Sequence, residues 1–513
     1  MDAEAASGIQ RLSSSLGVFT MRFHERLGLF SVLHANRDVE KTIAEVIDRV
    51  WPGHLEKEES VGEVVRTFQL GAYEARAISE TVAGYELWCA LLEALRAIGW
   101  HMRLGTDMFL ASDDAEYFFE SGKKIPKGHV TSLRIRGREE VHLFNASSSF
   151  QSIVRDTFEK YCCYVSVKEK SEHCIRLTVD GYPWQPKNMH QQIAAGIALT
   201  DVFAKLYESG YELIAPASLD SEQDSLFFCK SESSQNREQR EDFALIILRD
   251  ADGMMFVQFP ERVEDTVKRL VDTKWRMGLR ACSYDEQSVV IYRLEGDPWH
   301  DQSMNKELVH EIRIFLCALL EELTHLGWHC VCTIDTSMEC NDKSTFLFRA
   351  SDKVERKFVG IQPVGSDQLL LINMRSEDSK SINRALMDAV GKDVISSHEN
   401  VNDTTELYTM RGSPWGSAQN ADAIMARHIL TVIAGTLQSN GWQLACSADL
   451  QDDTRIVMSA VPVKKKERRA RKRMGAGGAG GSAGPTKREF KITRVKKTVE
   501  SADLHFLVFS KDR

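Results

Sequence analysis

The sequence predicts an α+β protein built from four tandem modules of about 105–115 residues, each with the element order ββαβαββ. Three observations support this prediction: a Gly-x-Pro-Trp phrase, a glycine–aromatic pair that follows an amphipathic segment, and aromatic closing strands, all recurring with one period. Landmarks that recur together at a fixed period indicate repeated structural units. We therefore expect each module to form a mainly antiparallel sheet that two helices cover on one face.

The Gly-x-Pro-Trp phrase occurs three times and has one degenerate relative upstream. The complete copies begin at Gly181, Gly296 and Gly412, and Gly71 takes the same place in the first module without Pro-Trp. The four glycines are 110, 115 and 116 residues apart. Terminal repeats of an open array are often atypical. The pattern therefore predicts that module 1 has diverged or caps the array.

The glycine–aromatic pair recurs with nearly the same period. Its glycines, at positions 99, 210, 327 and 441, are 111, 117 and 114 residues apart, and each follows a segment with helical periodicity. A glycine directly after a helix supplies the left-handed residue that ends it, and the next apolar side chain packs back on the last turn. The pairs therefore predict four helix ends and four buried anchors: Trp100, Tyr211, Trp328 and Trp442.

The third copy shows the remaining elements most clearly. Phe243–Leu248 and Met254–Phe259 predict a β-hairpin, and residues 263–275 carry apolar side chains on one helical face. The run Val289–Leu294 predicts a strand that ends before Pro298, because proline cannot donate to a sheet ladder. The second helix and two closing strands complete the copy.

These landmarks also give the domain boundaries. We expect modules at residues 11–121, 128–231, 241–351 and 356–463, and then a basic Gly-rich segment at 464–489 and a final segment at 490–513. The final segment is either an added hairpin or the closing strand of module 4, Phe506–Phe509. In the second case the basic segment is a loop insertion within module 4, whereas in the first Ile456–Met458 closes that module.

Charge is concentrated near the C-terminus. Residues 464–497 hold 14 Lys and Arg against two Glu, a net +12, so the rest of a chain whose total is −9 carries −21. The densest run consists of Lys464, Lys465, Lys466, Arg468, Arg469, Arg471, Lys472 and Arg473. Three interpretations stay open: a nuclear-import address for an importin-type receptor, a patch that binds nucleic acid or anionic lipid, or a solvated linker. Like charges followed by a Gly/Ala/Ser spacer predict disorder over about 464–487.

Sequence motifs give little support for catalysis. The chain has no Gly-rich phosphate loop, nucleophile elbow or paired-histidine metal motif. The densest possible metal group is His325, His329, Cys330, Cys332 and Cys340. The repeat aligns Cys332 with Leu104, Ala215 and Cys446, so we interpret it as an inward strand position. We predict no catalytic residue, no metal and no cofactor.

The tryptophans of the Gly-x-Pro-Trp phrase have two interpretations. Trp184, Trp299 and Trp415 each follow a strand end. There they either pack into the module core or serve as exposed contact residues, since tryptophan is enriched at binding hot spots.

Composition and pattern together favour a non-enzymatic interaction or scaffold protein with protein partners. One alternative is a nuclear nucleic-acid-associated protein that binds through the basic segment, and another is an enzyme with its site at a module interface. No run approaches the ~20 apolar residues of a membrane span, and Met1–Gln10 lacks an apolar core, so we expect neither a span nor a secretory signal. Eleven cysteines, sparse and odd in number, favour reduced thiols and a cytoplasmic or nuclear location.

Overall fold

The computed structural model describes residues 16–24, 28–62, 64–71, 81–106, 115–125, 128–162, 164–171, 173–219, 224–230, 241–285, 289–299, 306–336, 343–416, 421–450 and 506–512. Its elements fall into four successive groups, each with six strands and two helices. We call these groups modules 1 to 4.

Module 1 consists of β1 (Val18–His24), β2 (Leu29–Leu33), α1 (Arg37–Val50), β3 (Leu55–Val61), β4 (Val65–Leu70), α2 (Val82–Ala97), β5 (Trp100–Thr106) and β6 (Glu116–Ser121). Module 2 consists of β7 (Val130–Arg136), β8 (Glu140–Phe144), α3 (Ser148–Tyr161), β9 (Val165–Lys170), β10 (Cys174–Val179), α4 (Met189–Glu208), β11 (Tyr211–Ser218) and β12 (Asp224–Lys230).

Module 3 consists of β13 (Phe243–Arg249), β14 (Gly253–Val257), α5 (Arg262–Lys274), β15 (Leu279–Tyr284), β16 (Val290–Leu294), α6 (Lys306–His325), β17 (Trp328–Ile334) and β18 (Thr345–Ala350). Module 4 consists of β19 (Arg356–Val364), β20 (Gln368–Ile372), α7 (Ser376–Val390), β21 (Ile395–Asn402), β22 (Thr405–Met410), α8 (Ala421–Ser439), β23 (Gln443–Ala448) and β24 (Phe506–Asp512).

All four sheets share one topology. The order in module 1 is β3-β4-β2-β1-β6-β5, and the other three sheets repeat it with their own strands. Every neighbouring pair is antiparallel. The predicted α+β fold of four similar modules is therefore confirmed.

Each module has one strand more than the predicted order, so the order is ββαββαββ. The additional strands are β3, β9, β15 and β21, which directly follow the first helix and form one edge of their sheet. Most of their side chains are exposed, as in β3, where the residues between Leu55 and Val61 all face solvent. Such a strand is held by backbone pairing on one side, so its sequence shows neither an apolar run nor strict alternation.

The glycine–aromatic pairs have the predicted structure. Gly99, Gly210, Gly327 and Gly441 follow the second helices with φ between +85° and +96°. This left-handed conformation ends a helix at low cost only for glycine. Each following aromatic residue is buried: Trp100, Tyr211, Trp328 and Trp442. The predicted helix ends and core anchors are confirmed.

Strand β24 resolves the alternatives for the end of the chain. It pairs with both β19 and β23, as β18 pairs with both β13 and β17. The final segment therefore supplies the closing strand of module 4, and residues 449–505 connect two adjacent strands of one sheet. Ile456–Met458 and the whole basic run lie outside the described residues.

The modules close into a ring and do not form the open array in which module 1 would be an end cap. The second helix of each module packs on the first strand of the next: α2 on β7, α4 on β13 and α6 on β19. Helix α8 then packs on β1 of module 1. The edge strands β5, β11, β17 and β23 contact one another around the centre of this ring.

Ring closure covers both faces of the first strand of each module. In β7, for example, Leu133 and Ile135 belong to the core of module 2, whereas Val130 packs with the core of module 1. The first strand of every module is buried along most of its length. Without module 4, the second face of the module 1 sheet would lose the helix that covers it.

In the described part of the chain, no helix is both long enough and apolar enough to cross a membrane.

Candidate functional site

One helix position determines the chemistry of every module junction. It lies 14 residues before the helix-ending glycine and is occupied by Tyr85, Gly196, Arg313 and Arg427 in modules 1 to 4. We call it the ring position. In each module this residue faces the sheet of the next module. Its side chain, or the absence of one at Gly196, therefore decides how that junction is filled.

Buried charge closes the ring between modules 4 and 1. Arg427 Nε lies 2.7 Å from Glu116 Oε1, and the two side chains are 3% and 0% exposed. Arg427 also donates to Ser31 Oγ and to the Ser31 carbonyl oxygen at 2.8 and 3.0 Å. Arg22, opposite Glu116 in the β1–β6 register, is buried as well. The second sheet face of module 1 thus carries polar groups that water cannot reach, beside Val18, Leu104 and Phe118, which pack with the core of module 4.

A histidine pair lies at the same junction. Nε2 of His34 is 2.7 Å from Nδ1 of His428, and the rings stack with their centroids 4.9 Å apart. His428 is fully buried, and its Nε2 faces the Ala389 carbonyl oxygen at 3.4 Å. Burial lowers the pKa of His428 to about 4. His428 is therefore neutral at physiological pH.

This lowered pKa predicts a pH-dependent stability. An unfolded histidine has a pKa near 6.5. Between about pH 6.5 and 4, His428 therefore binds a proton in the unfolded chain but not in the folded protein. The free energy of unfolding should therefore be unaffected by this group above pH 6.5 and fall by about 2 kcal/mol on acidification to pH 4.5. Urea unfolding across this range should show a shallower pH dependence for His428→Gln than for the wild type.

Exposed His190 provides the matched control, since His190→Gln should keep the pH dependence of the wild type. Burial also lowers the pKa of His142, to about 4, so the test rests on the difference between the variants. If His428→Gln and the wild type lose stability equally on acidification, the assignment to His428 is wrong.

The junctions 1–2 and 3–4 are filled by large polar side chains. Tyr85 stacks on Phe144 of module 2 at a centroid distance of 3.8 Å, and its hydroxyl lies 2.8 Å from Ser225 Oγ. Arg313 donates through Nε to Gln362 Oε1 of module 4, and both side chains are buried. Three of the four junctions therefore have a tyrosine or arginine at the ring position.

The junction between modules 2 and 3 is different because Gly196 occupies its ring position. A cavity of about 460 Å³ opens there. Its walls come from the start of α4, from β13 and from the β13–β14 turn, with Thr336 and Thr345 at one side. It is a junction site of the kind that an enzyme or a binding protein of this architecture could use.

The charged groups beside this cavity are ion-paired. Asp250 Oδ2 lies 3.1 Å from Arg249 Nε and 2.8 Å from Arg293 Nη2. Burial raises the pKa of Asp250, but the two guanidinium groups outweigh it and hold the pKa below its ordinary value. Asp250 is therefore a carboxylate at neutral pH, and its pKa does not suit it to act as a general acid.

The sequence-predicted contact tryptophans are not at the surface. Trp184, Trp299 and Trp415 are 2%, 0% and 0% exposed. The indole N–H groups of Trp184 and Trp299 donate to the carbonyl oxygens of Glu140 and Gly253 at 3.2 and 3.0 Å. All three side chains pack inside their modules, so in this structure none presents an indole to a partner. Among them, only Trp184 also forms part of the cavity wall.

The cysteine–histidine group is not brought together as a site. Cys332 is buried, as are its counterparts Leu104, Ala215 and Cys446. Burial raises the pKa of the Cys332 thiol, which keeps it protonated. Among the described residues, no three His, Cys, Asp or Glu side chains are grouped so that they could hold a metal ion. Cys340 lies outside that part of the chain.

The basic residues that we predicted as a targeting or polyanion-binding site also lie outside the described residues. They are Lys464, Lys465, Lys466, Arg468, Arg469, Arg471, Lys472 and Arg473. Their place in the chain is nevertheless defined, because β23 and β24 flank their segment and β23 contacts the central strands β5 and β17.

The outer sheet edges carry the exposed apolar side chains. Among the described residues, the large hydrophobic side chains that are at least 40% exposed are Tyr164, Val167, Met277, Tyr284 and Val401. Tyr164 and Val167 lie beside and on β9, Met277 and Tyr284 beside and on β15, and Val401 on β21. Periodicity could not find them, because the strands themselves lacked a recognisable pattern.

Two sequence signals could have revealed the junctions. The ring position is at a constant offset from the helix-ending glycine, and two of its four occupants are arginines, of which Arg427 lies in a mostly apolar helix. A charged residue on an apolar helix face is more often placed at the edge of a core. Only the structure shows that Arg313 and Arg427 are covered by the next module.

A single family model, of one domain, matches the chain four times. The matches span residues 18–119, 129–229, 242–349 and 357–462, which together are more than half of the chain. No curated protein and no solved structure gives a significant match. The four matches begin at the first strand of the four modules. The chain therefore belongs to the family that this domain defines and carries four tandem copies of it.

Proposed function

We propose that the protein is a non-enzymatic scaffold that binds extended segments of partner proteins at the outer edges of its ring. The observation that carries this proposal is the position of the exposed apolar side chains. All five lie on or beside three of the outer edge strands. Apolar residues grouped at one kind of structural position are more informative than scattered ones.

The backbone of these edges supports the proposal. Within the described residues, strands β3, β9, β15 and β21 each pair with a neighbour on one side only, whereas the opposite sheet edges pack together at the ring centre. An unpaired strand edge has N–H and C=O groups that can pair with an added strand. The ring thus has four outward edges of one topology, which suits the simultaneous binding of several segments.

The outer edges of modules 2 and 3 carry four of the five exposed apolar side chains. On β15, the Tyr284 hydroxyl donates to Glu264 Oε2 at 2.7 Å, so the exposed ring is held in one orientation. On β9, Val167 lies opposite Leu177 in the strand register and is 51% exposed. An oriented aromatic ring costs little conformational entropy when it is buried by a partner.

Charge favours a basic partner. The chain outside residues 464–497 carries a net −21. We therefore expect the bound segments to alternate apolar residues with Lys or Arg, because a basic segment associates faster with a protein of net negative charge. Lysine substitutions at the edges should then interfere both by removing apolar contact and by repelling the segment.

The test compares two edge variants with a control of equal charge change. Variant one carries Tyr164→Lys and Val167→Lys, and variant two carries Met277→Lys and Tyr284→Lys. The control carries Ser152→Lys and Thr273→Lys, at exposed positions of α3 and α5. Partners are identified by quantitative affinity capture from cells and then titrated as purified proteins. We expect at least one edge variant to raise a partner Kd by about tenfold or more, while the control leaves it unchanged.

A variant of the basic run tests the second candidate function in the same experiment. The net +12 over residues 464–497 favours binding to polyanions. Neutral substitutions at Lys464, Lys465, Arg468, Arg469, Arg471, Lys472 and Arg473 should leave edge-bound partners in place. If these substitutions remove all partners or a salt-sensitive association with nucleic acid, and both edge variants bind normally, the edge proposal is wrong and the nucleic-acid alternative is favoured.

A further inference from the structure

The cavity between modules 2 and 3 exists because the ring position there is glycine. At the other junctions Tyr85, Arg313 and Arg427 fill the equivalent space. A Cβ atom at Gly196 would lie 3.6 Å from Ile247 Cδ1 and from the methyl carbons of Val257, which is ordinary contact. Packing therefore does not require glycine, and a glycine inside a helix destabilises it relative to alanine. The open space is the feature that this glycine provides.

The inner part of the cavity is apolar. Leu199 of α4 and Leu245 and Ile247 of β13 line it, and all three are buried. Its volume of about 460 Å³ is sufficient for a small organic ligand. An apolar chain placed there would replace the side chain that the other junctions contribute from within the protein.

The mouth of the cavity is cationic. Lys187 and Asn188 are exposed there, and Arg249 lies on the opposite wall. Asp250 is already paired with Arg249 and Arg293, whereas no carboxylate pairs with Lys187 among the described residues. Arg249 uses Nε for Asp250, and the Lys187 ammonium nitrogen lies 4.8 Å from the centre of the Tyr182 ring. The Lys187 ammonium and the Arg249 guanidinium can therefore donate hydrogen bonds to an anion at the mouth.

We propose that this cavity binds a small amphipathic carboxylate, with its alkyl chain between α4 and β13 and its carboxylate beside Lys187 and Arg249. The proposal is independent of the outer edges, because the cavity lies at a junction and shares no residue with the exposed apolar set. Its ligand class follows from the two halves of the site: apolar contact for the chain and charge-assisted hydrogen bonds for the head.

The test is a calorimetric titration of the full-length protein with decanoate. Decyltrimethylammonium has an alkyl chain of similar length and a cationic head, so we expect it to bind about tenfold more weakly or worse. Gly196→Tyr places in the cavity the side chain that junction 1–2 has, and it should weaken decanoate binding by about tenfold or more. Gly196→Ala, whose methyl group fits, should still bind decanoate.

A surface variant keeps the proposal testable if Gly196→Tyr does not fold. Lys187→Glu reverses one charge at the mouth and should weaken decanoate binding several-fold, whereas Lys392→Glu makes the same charge change at an exposed position of module 4. The proposal is overturned if the wild type does not bind decanoate at millimolar concentration. It is also overturned if decanoate and decyltrimethylammonium bind equally, or if Lys187→Glu and Lys392→Glu behave alike.

Discussion

We expect Glu116→Gln to reduce the free energy of unfolding by about 3–5 kcal/mol, because it leaves the buried Arg427 guanidinium without its carboxylate. Glu116 is completely buried, Arg427 reaches it from module 4, and Arg22 lies opposite it on β1. Neither arginine can regain water without opening the junction that closes the ring. Urea unfolding and the thermal midpoint measure the loss.

A double-variant comparison separates the ion pair from a general packing effect. Arg427→Met removes the facing cation, so the double variant Glu116→Gln with Arg427→Met should be more stable than the sum of the two single losses implies. Asp156→Asn is the matched control, since Asp156 pairs with Arg155 at the surface and should contribute within about 1 kcal/mol. A loss for Glu116→Gln as small as that of the control would mean that the buried pair does not hold modules 4 and 1 together.

Trp328→Ala should destabilise module 3 by about 3–5 kcal/mol, since it removes the largest side chain at a buried helix end and leaves a cavity. Trp328 is buried, and its ring centroid lies 5.0 Å from that of Phe259. Amide hydrogen exchange in β17 and β18 should accelerate by about two powers of ten or more.

The substitution Trp328→Phe retains much of the apolar contact and should show a smaller acceleration of exchange. Tyr284→Ala changes an exposed aromatic residue of the same module and should leave exchange in β17 and β18 nearly unchanged. If Trp328→Ala and Tyr284→Ala give the same exchange rates, the glycine–aromatic pair is not the core anchor that its position indicates.

The sequence contained enough information to predict the modules but not their arrangement. Gly327 with Trp328 reveals a helix end because left-handed backbone and apolar burial restrict the residue types that fit. Strand β15 leaves no such trace, since an edge strand held by backbone pairing tolerates many side chains.

Ring closure was hidden for a different reason. The second sheet face of module 1 carries Thr20, Arg22, Ser31 and Glu116, residues that a sequence pattern assigns to solvent. Module 4 covers them, and its Arg427 pairs with Glu116 and donates to Ser31. Polar complementarity between residues some 300 positions apart leaves no local periodicity. The cavity at Gly196 was unpredictable for the same reason, because it depends on β13 of the following module.

The central claim is that modules 1 and 4 are neighbours in a closed ring. Gln438 Nε2 of module 4 lies 3.5 Å from the Ser121 carbonyl oxygen of module 1, so a Ser121→Cys and Gln438→Cys variant places two thiols within reach of a short linker. A short bismaleimide applied to dilute protein should join them within one chain, identified by mass spectrometry of the linked peptides, whereas a Ser121→Cys and Lys268→Cys variant, with its second thiol on module 3, should not react in this way. Formation of the 121–438 link in high yield is the result that the ring predicts, and a yield no higher than that of the 121–268 control would contradict it.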